Sequence, residues 1–143
     1  MNTVGVPVGG LRTVGQIVAT NTLTFQRRQN ALAIAVELSS THTPGAPVVD
    51  DEGKYVGFVN ELDVMKALSE GKELNNLQAE DLMRIGPAAV HASTTIADAA
   101  KMMEERCVLN IPVEKDGKVA YSVSRHDLLR AWIGLGLGMG IDP

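Results

Sequence analysis

The sequence predicts an α/β fold of the mixed α+β kind, built from two β-α-β-β-α repeats that pack together. Three observations predict it: an internal repeat, a helical stripe that recurs, and an apolar-Pro-Val segment that recurs. Residues 53–68 align with residues 117–132, and five of the 16 aligned positions are identical, where chance would give about one. Because each copy holds only about 60 residues, the two copies are expected to bury their apolar faces against each other.

Each copy begins with two short elements and a helix. A helical turn is predicted at Thr13–Val18 and at Gln78–Met83, and a short strand at Thr22–Gln26 and at Ala88–Ala92. A helix follows, because apolar residues recur at the i, i+3, i+4, i+7 spacing of a buried helical face. The stripe consists of Ala31, Ile34, Ala35 and Leu38, then of Ile96, Ala99, Ala100 and Met103. Thr95, with Asp98 three residues later, predicts a capping box at the start of the second helix.

The rest of each copy is predicted to be a β-hairpin followed by a helix. An apolar-Pro-Val strand leads into an acidic turn that ends in glycine, which accepts the positive φ of a tight hairpin. The predicted elements are strands Pro47–Val49 and Tyr55–Val59 with helix Glu61–Ser69, then strands Ile111–Val113 and Val119–Val123 with helix Arg125–Ile133. Gly71 and Gly134 stand where these two helices are expected to end.

The repeat divides the chain into an extended arm at 1–11, a first repeat at 12–73, a second repeat at 74–134 and a Gly-rich tail at 135–143. Leu74–Gln78 is the predicted linker between the repeats. The tail alternates glycine with apolar residues, which allows two interpretations: a disordered end, or an arm that docks on a partner or a second copy. Because glycine weakens both helix and strand, the disordered end is favoured.

The composition argues against several classes of function. A net charge of −4 without an evident basic patch predicts no nucleic-acid binding, and the lack of a long apolar run predicts no membrane span. The one cysteine, Cys107, excludes an intrachain disulfide and fits a cytoplasmic location; it is predicted to be a small buried residue. The three histidines lack the spacing of metal ligands, and no nucleophile stands with a base, so neither a metal site nor catalysis is predicted.

Taken together, these elements resemble a known family. The specific features are the element order, the apolar-Pro-Val strand, the acidic-Gly hairpin and a Gly-apolar-x-Thr/Ser-x-x-Asp pattern that joins the last strand to the last helix. In this combination the chain resembles a tandem CBS-domain pair, also called a Bateman module, over residues 12–134. The resemblance implies that the two copies pack through their sheets about a pseudo-twofold axis. It also implies two clefts between the copies that bind an adenosine-containing regulatory ligand: AMP, ADP, ATP or S-adenosylmethionine. It also implies no required cofactor, a regulatory role, a homodimer, and an effector protein that responds to it.

The resemblance further implies which residues bind the ligand. The aspartate accepts hydrogen bonds from the ribose hydroxyls, the Thr/Ser hydroxyl and the helix start meet the phosphate, and the apolar-Pro-Val strand forms a wall for adenine. The second copy, which is preferred, supplies Ser124 and Asp127 with the wall Ile111, Pro112 and Val113. The first copy supplies Asn60 and Asp63 with the wall Ala46, Pro47 and Val48. The second copy departs from the pattern at Tyr121, where the family often has glycine, and the first departs at Asn60, where the hydroxyl is missing.

Two alternatives remain open. Ser124 and Asn60 are both preferred N-cap residues, and an aspartate three residues later favours the helix dipole, so both segments could be plain helix starts. If the clefts are degenerate, the chain is a structural dimerisation module with empty clefts. Cations that could meet a phosphate are Arg125, which is the first choice, and Arg27, Arg28, Arg84, His91 and His126.

Overall fold

The computed structural model describes residues 11–17, 21–85 and 89–134, and it confirms the predicted mixed fold. One sheet and two helices form what we call the first half: β1 (Phe25–Gln26), α1 (Ala31–Thr41), β2 (Gly45–Val49), β3 (Tyr55–Asn60) and α2 (Glu61–Ser69). The second half repeats this order: β4 (Val90–His91), α4 (Ile96–Arg106), β5 (Asn110–Lys115), β6 (Lys118–Ser124) and α5 (Arg125–Trp132). A short helix, α3 (Ala79–Leu82), lies between them along the chain, and 3-10 turns occupy Val14–Gln16 and Leu74–Asn76.

The two sheets have the same topology. In each, the first strand pairs in parallel with the second, and the second pairs antiparallel with the third. The register shifts at Val48/Val49 and at Val113/Glu114, which are equivalent positions of the repeat. The hairpin glycines Gly53 and Gly117 have φ values of 83° and 78°, as the acidic-Gly turns predict. Strands β1 and β4 are shorter than predicted, with two residues each.

Each half has its own aliphatic core, and the predicted helical stripes face these cores. Ala31, Ile34 and Leu38 are buried in the first core, with Ala35 partly buried beside them. The equivalent residues Ile96, Ala99 and Met103 are buried in the second core, with Ala100 partly buried. The Thr95 hydroxyl accepts a hydrogen bond from the Asp98 N–H at 3.1 Å, so α4 begins at the predicted cap.

Short segments cross between the halves. Val14, in the N-terminal 3-10 turn, is buried in the second core, and the Ile96 N–H donates to the Arg12 carbonyl. The first core likewise contains Leu74, from the stretch predicted as a linker, and Ala79 and Leu82 from α3. The predicted boundary between residues 73 and 74 stays a prediction. Each of the two cores contains residues from both sides of this boundary.

The halves meet where β2 contacts β5 and β6. The buried Asn110 amide donates to the Gly45 carbonyl at 2.9 Å, and these two residues occupy equivalent positions at the start of β2 and β5. Gly45 pairs with Asn60, and Asn110 pairs with Ser124. The contact therefore brings the ends of β3 and β6, where α2 and α5 begin, close to the boundary between the halves. We call this boundary the seam.

One predicted burial is wrong. Cys107 is exposed rather than buried, because α4 ends at Arg106 and Cys107 takes a left-handed conformation with φ 53° and ψ 43°. This turn directs the chain away from the helix face, and the core position one turn earlier belongs to Met103. The arm up to residue 10 and the tail at 135–143 lie outside the described residues. Within the described part of the chain, no helix is long and apolar enough to cross a membrane.

Candidate functional site

The start of α2 is a reciprocal capping box. The Asn60 side-chain carbonyl accepts from the Asp63 N–H at 2.9 Å, and the Asp63 carboxylate accepts from the Asn60 N–H at 2.9 Å. The start of α5 repeats it: the Ser124 hydroxyl accepts from the Asp127 N–H at 3.1 Å, and the Asp127 carboxylate accepts from the Ser124 N–H at 2.8 Å. The capping role predicted for both segments is therefore present in the structure.

Asp63 also forms an ion pair with Arg84. The Arg84 Nε donates to Asp63 Oδ1 at 2.7 Å, and the Asp63 side chain is only 9% exposed while that of Arg84 is 56% exposed. Both carboxylate oxygens are thus engaged, Oδ2 by the cap and Oδ1 by the guanidinium. The backbone of Arg84 is fixed by two hydrogen bonds of 2.9 Å with Phe58 on β3, so the position of Arg84 follows from the sheet.

A cavity of about 440 Å³ opens beside this ion pair, and we call it the seam cleft. Residues of both halves line it: Phe58, Asn60, Arg84 and Ile85 from one side, and Arg106, Cys107, Val108 and Asn110 from the other. The lining combines apolar surface, two side-chain amides and two guanidinium groups. Such a mixture suits a small ligand that has an apolar face and a polar or anionic end.

A second cavity of about 610 Å³, which we call the polar cavity, lies between α2 and α3 on the first half. Asp63 lines the polar cavity rather than the seam cleft, and Arg84 lines both. The Asp63–Arg84 pair therefore stands between the two cavities.

The predicted adenine walls lie inside the protein. Ala46, Pro47 and Val48 are buried, as are Ile111, Pro112 and Val113. None of these six side chains belongs to the described lining of the seam cleft. Their place beside the cleft is taken by Phe58 and Val108. As contacts for a ligand, these six wall residues remain untested predictions.

The second half arranges its predicted residues differently. Arg125, the first choice as a phosphate cation, lines a mostly apolar groove of about 570 Å³ between α4 and α5, which we call the outer groove. Tyr121, which replaces the usual glycine, is 7% exposed in the second core, and its hydroxyl donates to the Val14 carbonyl at 2.7 Å. Burial raises the pKa of the Tyr121 hydroxyl. This side chain therefore anchors the N-terminal 3-10 turn.

Sequence reasoning missed Arg106 and Asn110 as cleft residues. Arg106 ends α4 and Asn110 begins β5, so both belong to the second half and line the seam cleft together with Asn60 and Arg84 of the first. In the sequence Asn110 directly precedes the predicted wall at 111–113 and Arg106 stands five residues before it, but their place at the cleft depends on the packing of β2 on β5. The prediction paired each aspartate with the wall of its own copy, whereas the seam cleft is lined by residues of both halves.

Comparison with known proteins supports the fold. The CBS domain family matches the sequence twice, over residues 14–70 and 79–134. The uncharacterized protein MK0525 of Methanopyrus kandleri is 24% identical over 119 residues, which cover 82% of this chain and 61% of that protein. The chain spans between 27% and 61% of the length of three curated relatives that it matches.

Solved structures resemble the chain over most of its length. CBSX2 in complex with AMP is 27% identical, with a TM-score of 0.70, and the match covers 83% of this chain and 94% of that one. The CBS domain pair of MJ0100, in complex with 5′-methylthioadenosine and S-adenosyl-L-methionine, is 24% identical with a TM-score of 0.72 and covers 82% and 93%; this likeness concerns the fold alone. The two family matches and the shared fold show that the chain belongs to the CBS domain family, as a tandem CBS-domain pair.

Proposed function

We propose that the protein is a non-catalytic regulatory module that binds an adenosine-containing ligand in the seam cleft. The proposal rests on one observation: residues of both halves line the seam cleft, and Asn60, the N-cap of α2, is one of them. The start of a helix carries partial positive charge, which favours a polar or anionic ligand. The cleft volume of about 440 Å³ lies within the usual range of small-molecule sites. The related CBSX2, which binds AMP, supports the same ligand class.

The ligand would act by joining the halves. Phe58 and Val108, from opposite halves, supply apolar surface for a base, and the Asn60 and Asn110 amides offer polar contacts beside it. A ligand that touches both sides favours one relative position of the halves, and such coupling is typically about 1–3 kcal/mol. An effector protein or a second copy would respond to that position. The cytoplasmic location predicted from the sequence stays a prediction.

We also infer a homodimer from exposed apolar side chains on the helices. Leu62 and Met65 on α2 are 63% and 62% exposed, and Val36 on the neighbouring α1 is 59% exposed. The second half presents the outer groove, with Leu129 59% exposed at its edge. An apolar surface spread over four helices is typical of a protein contact.

Leu62→Glu with Met65→Glu should convert the dimer to a monomer in light scattering, whereas Ser69→Glu, on the same helix, should not.

Ligand binding can be tested by thermal shift with AMP, ADP, ATP and S-adenosylmethionine. A ligand at 100 times its dissociation constant adds about 2.7 kcal/mol to the free energy of unfolding, so a live cleft gives a clear rise in Tm. Asp63→Asn, which weakens the ion pair that holds Arg84 beside the seam cleft, should reduce the shift. If instead Asp127→Asn reduces it and Asp63→Asn does not, the ligand binds in the second half and the placement in the seam cleft is wrong.

The alternative is a structural dimerisation module with empty clefts. The observation that favours it is that Asp63 already has a partner for each oxygen in the structure. No Tm change with any of the four ligands at millimolar concentration would establish this alternative over the regulatory one. Detectable nucleotide turnover would contradict both, because both assign the chain no catalysis.

A further inference from the structure

We propose that the Gly-rich tail at 135–143 docks in the outer groove of its own chain, with Asp142 paired to Arg125. The residues that line the groove are described, whereas the tail lies outside the described residues. The inference requires no ligand in the seam cleft, so it does not depend on the proposed function.

Two helical stripes form the outer groove. On α5 the stripe runs from Arg125 through Leu128 and Leu129 to Trp132, and on α4 it runs from Ala100 to Cys107. Both follow the spacing of one helix face. The Arg125 N–H donates to the Leu109 carbonyl at 3.0 Å, so α5 begins beside the segment that follows α4. The groove therefore has one end at Arg125 and the other at Trp132.

The tail begins at the Trp132 end of the groove. Helix α5 ends at Trp132, and Gly134 has a φ of 84°, the left-handed conformation that stops a helix and turns the chain. The helix face from Arg125 to Trp132 is about 11 Å long. A Gly-rich segment of the length of 135–142 has a typical end-to-end distance of about 16 Å. Asp142 therefore reaches Arg125 without full extension of the tail.

The tail matches the groove in polarity and charge. Its apolar residues alternate with glycine, so an extended stretch places the apolar side chains on one face and lets the backbone approach closely. Asp142 directly follows this apolar run. Among the described residues, Arg125 forms no ion pair, although Glu104 lines the same groove. Its guanidinium group can therefore bind the Asp142 carboxylate.

The N-terminal arm is the competing occupant. The Leu11 N–H donates to the Ala131 carbonyl at 2.9 Å, so the arm also starts near the end of α5. Residues 1–10 contain no acidic residue that would meet Arg125, and Pro7 interrupts their apolar run. Charge complementarity therefore favours the tail over the arm.

Tethering makes weak docking effective. Glycine favours disorder for the tail in isolation, and the groove supplies the surface that orders it. A segment joined to its site by a short flexible linker has an effective concentration in about the millimolar range. The tail thus fills the groove even where the free peptide binds weakly. Docking covers apolar surface at Leu109 and Leu129, which are 50% and 59% exposed.

Fluorescence of Trp132 tests the docking in the full chain. Trp132 is the one tryptophan of the sequence and lines the outer groove but not the seam cleft, so acrylamide quenching reports whether the groove is covered. Leu137→Ser with Met139→Ser should raise the quenching constant at least about twofold, because an undocked tail leaves the indole open to the quencher. Asp142→Asn and Arg125→Gln should each raise it by less. Their combination should raise it no further, because both remove the same contact.

Val4→Ser with Val6→Ser is the matched control, because it makes the same kind of change in the arm and should leave the quenching unchanged. A second reporter is Cys107, the one cysteine, which also lines the groove. An aromatic disulfide reagent should label it faster in a chain that stops after Gly134. Because Cys107 lines the seam cleft as well, only the difference between the two chains measures the tail. The peptide 135–143 at about millimolar concentration should restore the slower labelling.

Unchanged quenching in Leu137→Ser with Met139→Ser overturns the proposal. A rise in the arm variant alone assigns the groove to the arm and overturns it too. Shielding of Trp132 that is lost on dilution means that the tail of a second copy fills the groove, which overturns docking within one chain. None of these outcomes changes the thermal shift with AMP, so they leave the proposed function to its own test.

Discussion

The two halves share their fold but use one equivalent position in opposite ways. In the first half this position is Gly57, where a Cβ atom would lie 2.6 Å from the Met83 sulfur and 2.9 Å from the Arg84 carbonyl oxygen. In the second half it is Tyr121, whose buried ring fills the second core and whose hydroxyl binds the Val14 carbonyl. Gly57 thus leaves room for residues 83 and 84 to pack against β3. Tyr121 instead holds the N-terminal 3-10 turn against the second core.

The difference between Gly57 and Tyr121 also affects which charged side chains lie near each capping box. Because Gly57 lets residues 83 and 84 approach, Arg84 reaches Asp63 and lines the seam cleft. The equivalent capping box at Ser124 and Asp127 has its predicted cation, Arg125, in the outer groove. Among the described residues, the repeat reproduces the backbone of both halves, whereas Arg84 lines the seam cleft and Arg125 lines the outer groove.

The largest expected effect is the loss of the tyrosine anchor. Tyr121→Ala removes a buried ring from the second core and should lower the free energy of unfolding by about 3–5 kcal/mol. Tyr121→Phe keeps the ring and loses the 2.7 Å hydrogen bond to Val14, so it should cost about 1 kcal/mol. Urea unfolding measures both. Equal losses for the two variants would show that the hydrogen bond, and not the ring, carries the contribution.

The second-largest loss of stability is expected at Gly57. Gly57→Ala places a methyl group against Met83 and Arg84 and should cost about 1–3 kcal/mol by overpacking. It should also reduce the Tm rise with AMP, because the displaced segment carries Arg84. The double variant with Met83→Ala removes the side-chain part of the clash, so its loss should be smaller than the sum of the single losses. Strictly additive losses would contradict the close approach.

The sequence predicted the parts of the fold that depend on local pattern. Helix α2 has its predicted bounds, α5 ends one residue early, and both helical stripes face their cores. The residues that it missed depend on contacts between distant segments. Arg106 and Asn110 reach the seam cleft because β2 packs on β5, and Cys107 is exposed because of one left-handed residue. Neither spacing nor residue type determines these two features.

A smaller effect distinguishes a helix cap from a ligand contact. Asn60→Ala and Thr95→Ala each remove an N-cap and should cost about 1 kcal/mol. Only Asn60 lines the seam cleft, so only Asn60→Ala should also reduce the Tm rise with AMP. Thermal shift with and without AMP measures both quantities. An undiminished AMP response in Asn60→Ala would mean that Asn60 is a cap alone.

The smallest effect at neutral pH is expected at the other tyrosine. The Tyr55 hydroxyl is buried and has no hydrogen-bond partner among the described residues, so Tyr55→Phe removes an unsatisfied polar group and should not lower the free energy of unfolding. The matched Tyr121→Phe should cost more, because its hydroxyl has a partner. A loss as large as that of Tyr121→Phe would mean that the Tyr55 hydroxyl forms a hydrogen bond.

The two variants should also separate at alkaline pH. Burial raises the pKa of Tyr55 to about 12, whereas a tyrosine in the unfolded chain titrates near 10. The folded state therefore keeps its proton longer, and this contribution to stability is complete below about pH 10 and is lost as the pH rises through about 12. Unfolding measured against pH should show wild type losing more stability over this range than Tyr55→Phe. Parallel curves would place the Tyr55 hydroxyl in water, where its pKa would match that of the unfolded chain.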